Sequence, residues 1–330
     1  MKDKKQNKRI NGGHRLLFFC ILCLFGLYVA VSYAEEQPQR EQSKTKVILL
    51  HTDNLTYDQY RHPGAQILTG NVQFQHDGVL MYCDSACFYE ATNSFDAFGH
   101  VKMVQGDTLD LVGDMLLYNG LDQLARVRHN VVLTHRESKL YTDSLDYDRL
   151  YELGYFFEGG KLVDKDNVLT SDWGQYSPPT RQAVFNYNVK LENPKFTLIS
   201  DTLNYNTLTS MAEIVGPSNI DSGDNHIYSE SGFYNTQTEE AILLDRSIVT
   251  NKGRKMVGDS LYYDSKSGVG EGFRNVVYTD EVNKNMLTGN YCYYNDSTGY
   301  SMATDSAVAI DYSQRDTMYM HADTFKVYTF

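Results

Sequence analysis

From residue 47 onward, apolar and polar residues alternate in short runs, and the alternation restarts roughly every 29 residues. Alternation of period two is what a strand with one buried face requires. The clearest run is Gly258-Asp259-Ser260-Leu261-Tyr262-Tyr263-Asp264. Its pattern is an Asp, a small or apolar residue two positions later, and an aromatic two beyond that. Close copies are Asp53-Leu55-Tyr57, Asp114-Leu116-Tyr118, Asp143-Leu145-Tyr147, Asp201-Leu203-Tyr205 and Asp259-Leu261-Tyr263. Looser copies are Asp84-Ala86-Phe88, Asp172-Gly174-Tyr176, Glu230-Gly232-Tyr234 and Asn290-Cys292-Tyr294. The first positions are separated by 31, 30, 29, 29, 29, 29, 29 and 31 residues. The last position is aromatic in all nine copies, in a chain only 13% aromatic. A fixed period of this length predicts a repeat architecture.

A second strand signal lies midway between the Asp motifs. Examples are Gly70-Asn71-Val72-Gln73-Phe74, Gly99-His100-Val101-Lys102-Met103, His129-Asn130-Val131-Val132-Leu133, Asn188-Val189-Lys190-Leu191 and Arg274-Asn275-Val276-Val277-Tyr278. Turn residues such as Asn119-Gly120, Asn206-Thr207 and Asp264-Ser265 separate the strands. Each unit therefore holds two strands of about 10–12 residues with tight reversals. Spacing in steps of two puts Asp, Leu and Tyr of the motif on one face. The Leu/Tyr ladder and the Val, Phe, Met and Leu of the second strand line one continuous apolar interior. The prediction is an all-β, elongated antiparallel body of about nine units of 29–31 residues, each cross-section a bent strand whose two walls face each other. Trp173–Pro179 reads as a bulge or widened turn, and residues 216–226 as a polar loop. A degenerate tenth motif, Asp323-Thr324-Phe325, is followed by no return strand. Either the natural chain continues beyond Phe330 or a partner covers that edge.

The N-terminus differs in kind. Lys2, Lys4, Lys5, Lys8, Arg9 and Arg15 precede an apolar run from Leu16 to Val31, and Ser32-Tyr33-Ala34 offers small residues for cleavage. Residues 1–34 read as a secretory signal peptide, with an uncleaved membrane anchor as the alternative. No lipobox-like small residue precedes Cys20 or Cys23. Residues 35–46 read as a polar linker, and 47–330 as the repeat domain. Cleavage leaves 24 Lys and Arg against 41 Asp and Glu, a net charge of about −17. Such a surface excludes nucleic acid as a partner. Cys83, Cys87 and Cys292 remain, an odd number that makes no disulfide framework. Four residues of extended strand hold Cys83 and Cys87 roughly 13 Å apart, beyond bridging reach.

The Asp-x-Leu-x-Tyr strand, the Gly-Asn-Val strand, the near-29-residue period and the leader together resemble the OstA-like family, the periplasmic LptA type and the N-terminal domain of LptD. The resemblance covers roughly residues 47–330. It implies an antiparallel β-jellyroll, or "β-taco", that carries lipopolysaccharide across the periplasm of a Gram-negative cell toward the outer membrane. It implies lipid A acyl chains held in an apolar groove. It also implies end-to-end strand pairing with other Lpt-type β-taco domains, or a head-to-tail homo-oligomer, and association with the outer or inner membrane. On that reading the groove is lined by Leu55, Tyr57, Val72, Phe74, Phe88, Val101, Met103, Leu116, Tyr118, Val131, Leu133, Leu145, Tyr147, Val189, Leu191, Leu203, Tyr205, Leu261 and Tyr263. This chain has more units than a simple LptA-like protein, and it lacks the membrane barrel of LptD.

No chemistry competes with that reading. Equivalent Asp residues of successive units sit two strand spacings, roughly 10 Å, apart and cannot share a calcium ion. They are expected to bond backbone at strand entrances. The nine His residues show no ligand spacing, and no nucleophile motif or phosphate loop occurs. Neither metal nor cofactor nor enzymatic activity is expected. Two other functions fit a β-repeat: a parallel β-helix that binds polysaccharide, and an adhesive or scaffold module with a closed core.

Overall fold

The computed structural model describes residues 45–328. The leader and most of the linker lie outside the described residues. The rest is an elongated, almost entirely antiparallel sheet of 24 strands joined by short reversals. Most strands are 11 or 12 residues long; a few are interrupted at mid-length, such as Leu153–Phe156 followed by Gly160–Asp164. Between the two edges, each long strand pairs antiparallel with its neighbours in the chain, as the turn signals predict. The antiparallel ladder excludes a parallel β-helix.

Every strand is folded at its middle. In Ser94–Gln105 the register slips between Phe98 and Val101, and in Leu109–Asn119 between Val112 and Met115. In alternate strands the bend is a pair of left-handed residues: Gly70 and Asn71 (φ 85° and 48°), Gly99 and His100 (76° and 44°), His129 and Asn130 (61° and 52°), Arg274 and Asn275 (59° and 49°). Only Gly, and to a lesser degree Asn, visits that region at small cost. The Gly-Asn-Val signal therefore marks a corner inside the strand. Each corner divides its strand between two walls. One wall carries the motif tyrosines; the opposite wall carries the Val, Phe, Met and Leu of the second signal.

The motif Asp also sits at the corner, which overturns its expected position beside Leu and Tyr. Asp84, Asp114 and Asp172 are exposed. The bend breaks the period of two between Asp and Leu and turns the carboxylate outward. There it accepts a bond from the corner residue sixteen positions later: Asn130 Nδ2 to Asp114 (2.7 Å), Asn188 to Asp172 (2.7 Å) and Asn275 to Asp259 (2.7 Å). His100 Nδ1 lies 2.7 Å from Asp84 in the same relation. At Gly70 a Cβ would come 2.3 Å from Asp53 Oδ2, so the carboxylate folds over the bare glycine.

Two irregular stretches also resolve differently. Residues 216–226 are not a loop: Met211–Ser222 and Asn225–Asn235 are ordinary strands, bent at Gly216 and joined by a reversal at Gly223. Trp173–Ser177 is a strand, and the two prolines form the turn after it.

Candidate functional site

The interior between the walls is one apolar cluster. Seventeen of the nineteen residues predicted to line a groove belong to it: Val72, Phe74, Phe88, Val101, Met103, Leu116, Tyr118, Val131, Leu133, Leu145, Tyr147, Val189, Leu191, Leu203, Tyr205, Leu261 and Tyr263. The walls touch through these side chains. Phe74 of the opposite wall stacks on Phe95 (4.1 Å) and tilts against Phe88 (5.4 Å) of the tyrosine wall. Leu55 and Tyr57 are placed elsewhere: they are 42% and 67% exposed on the edge strand Asn54–Tyr57. Among the described residues that strand pairs only with Gln66–His76.

The tyrosine row has a partner row that the aromatic motif alone did not disclose. Across the ladder, Tyr147 lies between Ala125 and Gly154, and Tyr176 between Gly154 and Ala183. Tyr205 lies between Ala183 and Ala212, and Tyr263 between Ala241 and Gly270. Large and small side chains thus interdigitate at close-packed density. The signal was present in the sequence: a small residue follows Tyr118, Tyr147, Tyr176, Tyr205, Tyr234 and Tyr263 by seven positions (Ala125, Gly154, Ala183, Ala212, Ala241 and Gly270).

The mouth of the bent sheet, where hairpin ends of the two walls meet, is closed by buried hydrogen bonds. Tyr118 Oη lies 2.7 Å from His76 Nδ1, and Arg149 donates to the same hydroxyl. Arg149, which can only donate, also faces His76 Nδ1 at 3.3 Å, so Nδ1 accepts from Tyr118 and Nε2–H faces Thr45 at 2.9 Å. Tyr176 Oη lies 2.8 Å from His135 Nδ1. Tyr205 donates to Asp164 (2.8 Å) and accepts from Asn167 (2.9 Å), while Ser138 holds the other oxygen of Asp164 at 2.8 Å. Tyr263 donates to Asn225 at 2.7 Å. Each latch joins a motif tyrosine to a polar residue about 40 positions earlier. Burial pushes these phenols up, Tyr263 to about 12, so all remain neutral donors. Burial also holds His76 and His135 below the usual histidine value, and nearby arginine charge adds to the effect.

Neither Tyr147 nor Tyr234 makes such a latch. The Tyr147 hydroxyl is buried without a hydrogen-bond partner, and so is Oε1 of Gln105, the residue at the equivalent position across the mouth. Among the described residues, no group of three or more His, Cys, Asp or Glu side chains could hold a metal ion. Cys83, Cys87 and Cys292 are buried free thiols.

Among solved structures, the chain is similar to LptH from Pseudomonas aeruginosa, the LptA-homologous periplasmic component of a lipopolysaccharide transport device. The identity is 16% and the TM-score 0.31, over 33% of this chain and 82% of that one. No curated protein matches. The family model described as OstA-like protein matches residues 44–201 and 197–259, well over half of the sequence. The chain, with its bent two-strand repeats and tyrosine-lined interior, belongs to the OstA-like protein family.

Proposed function

We propose that this protein carries lipopolysaccharide through the periplasm toward the outer membrane, with lipid A acyl chains between the two walls and no catalytic step. The observation that supports this reading is the unbroken apolar interior, which presents nearly the same wall in every repeat. Each methylene moved from water onto such a wall contributes about 0.8 kcal/mol, so a chain of about twelve carbons gains roughly 10 kcal/mol. A mouth hydrogen bond is worth about 1 kcal/mol net. An entering acyl chain therefore outweighs the few latches it must open. Sliding between equivalent units costs little, and direction comes from an energised partner.

The exposed edges suit assembly. Among the described residues Met318–Tyr328 pairs only with Tyr300–Asp311, and its Met318, Tyr319 and Met320 are exposed. An unpaired antiparallel edge accepts another strand, here from a related β-taco domain or a second copy. The full burial of the ladder favours a second reading, a scaffold whose core never opens.

Photocrosslinking in cells separates the two. A benzophenone residue replacing Leu203 is expected to yield a lipopolysaccharide adduct, and one replacing outward-facing Asn204 is not. The same residue at Met320 is expected to give a protein–protein adduct. No lipid adduct at Leu203, Leu116 or Leu261 selects the closed scaffold, and no protein adduct at Met320 rejects edge pairing.

A further inference from the structure

The outward face of the last strands carries a pattern that the repeat itself does not require. On the tyrosine wall, Phe273, Tyr291, Tyr293, Tyr300 and Tyr328 all keep exposed surface. Pairing sets them in one diagonal strip over four strands. Phe273 lies opposite Tyr291, and Tyr300 lies opposite Tyr328. Tyr293 stands next on its face to Asn295, the partner of Tyr300. Ring centroids are 5.4 Å apart for Phe273 and Tyr291, 5.8 Å for Tyr293 and Tyr300, and 5.0 Å for Tyr300 and Tyr328. Three strand spacings make the strip roughly 14 Å wide. In the units that begin at Asp84, Asp143 and Asp201, the place of Tyr291 is taken by Ser85, Ser144 and Thr202, and that of Tyr293 by Cys87, Asp146 and Asn204. There the face carries polar pairs such as Arg128 and Asp146 at 2.7 Å. The strip is local to the last described strands and is not a consequence of the fold.

Acceptors are set among the rings. Glu271 lies in register between Tyr262 and Tyr293. Tyr291 Oη donates to it at 2.8 Å, and Tyr262 Oη donates to Glu240 at 2.9 Å. An ionised carboxylate offers about four lone-pair sites, so both keep capacity for a further donor. This mixture selects the partner. An acyl chain or an apolar protein face would cover the rings but leave Glu271 dry with a single donor, which is costly for a carboxylate. An anionic polymer would meet Glu240, Glu271 and Asp264 on a chain of net charge −12. A sugar ring answers both features. Its C–H face lies on the negative π-face of an aromatic, and its rim of hydroxyls donates to the carboxylates. Equatorial 1,4 linkages extend such rings into a straight ribbon, whereas axial ones coil the chain away from a straight strip.

We propose that this strip binds an uncharged β-1,4-linked glycan strand, the backbone of the cell wall in the compartment that the leader predicts. Rings of the glycan stack on Tyr293, Tyr300 and Tyr328, and Glu271 and Glu240 accept from their hydroxyls. The site lies on the outside of the sheet, so the glycan is held without entering the interior, and the proposal does not rest on the transport reading above. Face and edge stay separate: the Tyr328 side chain serves the strip while the backbone edge of Met318–Tyr328 still accepts a strand.

The test is isothermal titration of the full chain with chitohexaose, which is β-1,4-linked, with maltohexaose, which is α-1,4-linked, and with the lipid-free saccharide of lipopolysaccharide. Saturable binding of chitohexaose alone is expected. Tyr293→Ala and Tyr300→Ala should each weaken it by several-fold to about tenfold, the scale of one lost aromatic contact. Glu271→Gln, which keeps the shape of the side chain, should weaken it several-fold and carries the test if melting shows an alanine variant to be unfolded. Tyr141→Ala, at an exposed tyrosine of the opposite wall, should leave binding unchanged. No saturable binding of chitohexaose, or unchanged affinity in the folded strip variants, overturns the site. Equal binding of maltohexaose overturns the linkage, and binding of the lipopolysaccharide saccharide in place of chitohexaose overturns the cell-wall strand as occupant. Chitohexaose bound by a protein that retains no lipid rejects the transport reading and leaves the site standing.

Discussion

At the scale of single residues, the motif tyrosines have two tasks that one substitution separates. The ring fills the interior between small neighbours, and the hydroxyl bonds across the mouth. Tyr205 shows both: it is 0% exposed, and its hydroxyl joins Asp164 to Asn167. Removing that hydroxyl strips a donor from a buried carboxylate and an acceptor from a buried amide. Tyr205→Phe is therefore expected to cost about 1–3 kcal/mol, and Tyr118→Phe, beside Arg149 and His76, a similar amount. Tyr147→Phe removes a hydroxyl that bonds nothing. It should leave stability unchanged or raise it slightly. Urea denaturation of the three variants checks this. A loss at Tyr147→Phe equal to that at Tyr205→Phe would show that its hydroxyl is already satisfied.

At the scale of the strand, much was legible because strand physics is local. The period of two and the reversals specify antiparallel strands, and the 29-residue restart specifies their repetition. Two features were misread for one reason. A corner inside a strand shifts the alternation by one step, and composition does not announce where that happens. The corner thus moved Asp114 out of the row of Leu116 and Tyr118. It also turned an apparent loop at Gly216 into a bend within a strand. The mouth latches were not legible, because each joins residues about 40 positions apart across two walls. The small-residue row was legible but unread. It makes a sharp prediction at Gly270, where an added Cβ would come 2.0 Å from the Tyr294 ring. The ring sits in a filled interior and has nowhere to retreat. Gly270→Ala is expected to cost about 1–3 kcal/mol, as overpacking does. Pairing it with Tyr294→Leu should recover much of the loss, and a double variant no better than the single would place the strain elsewhere.

At the scale of the whole molecule, stability along the mouth depends on pH, because His76 and His135 close two latches on either side of the open position at Gln105. Both histidines are buried, and burial holds both below their ordinary value of about 6.5. The groups facing His76 are Tyr118, Arg149, Asp77 and Thr45, and those facing His135 are Tyr176, Arg136 and Arg181. A histidine with a lowered folded pKa binds its proton more readily in the unfolded chain. Its stabilising effect is thus complete above about pH 6.5 and declines as pH falls below that value. Exposed His100 works in the opposite sense, since its bond to Asp84 holds its pKa up. That pair lies in solvent, where screening leaves it little weight. The buried pair decides the sign. The melting temperature should stay level from pH 8 to about 6.5 and fall toward pH 5.5, with a shallower fall in His135→Gln. Protonated His135 cannot accept the Tyr176 proton and faces two guanidiniums, so the seam loosens first at the Tyr176 latch. A melting temperature that rises on acidification would mean that the surface pair dominates and that the mouth stays shut.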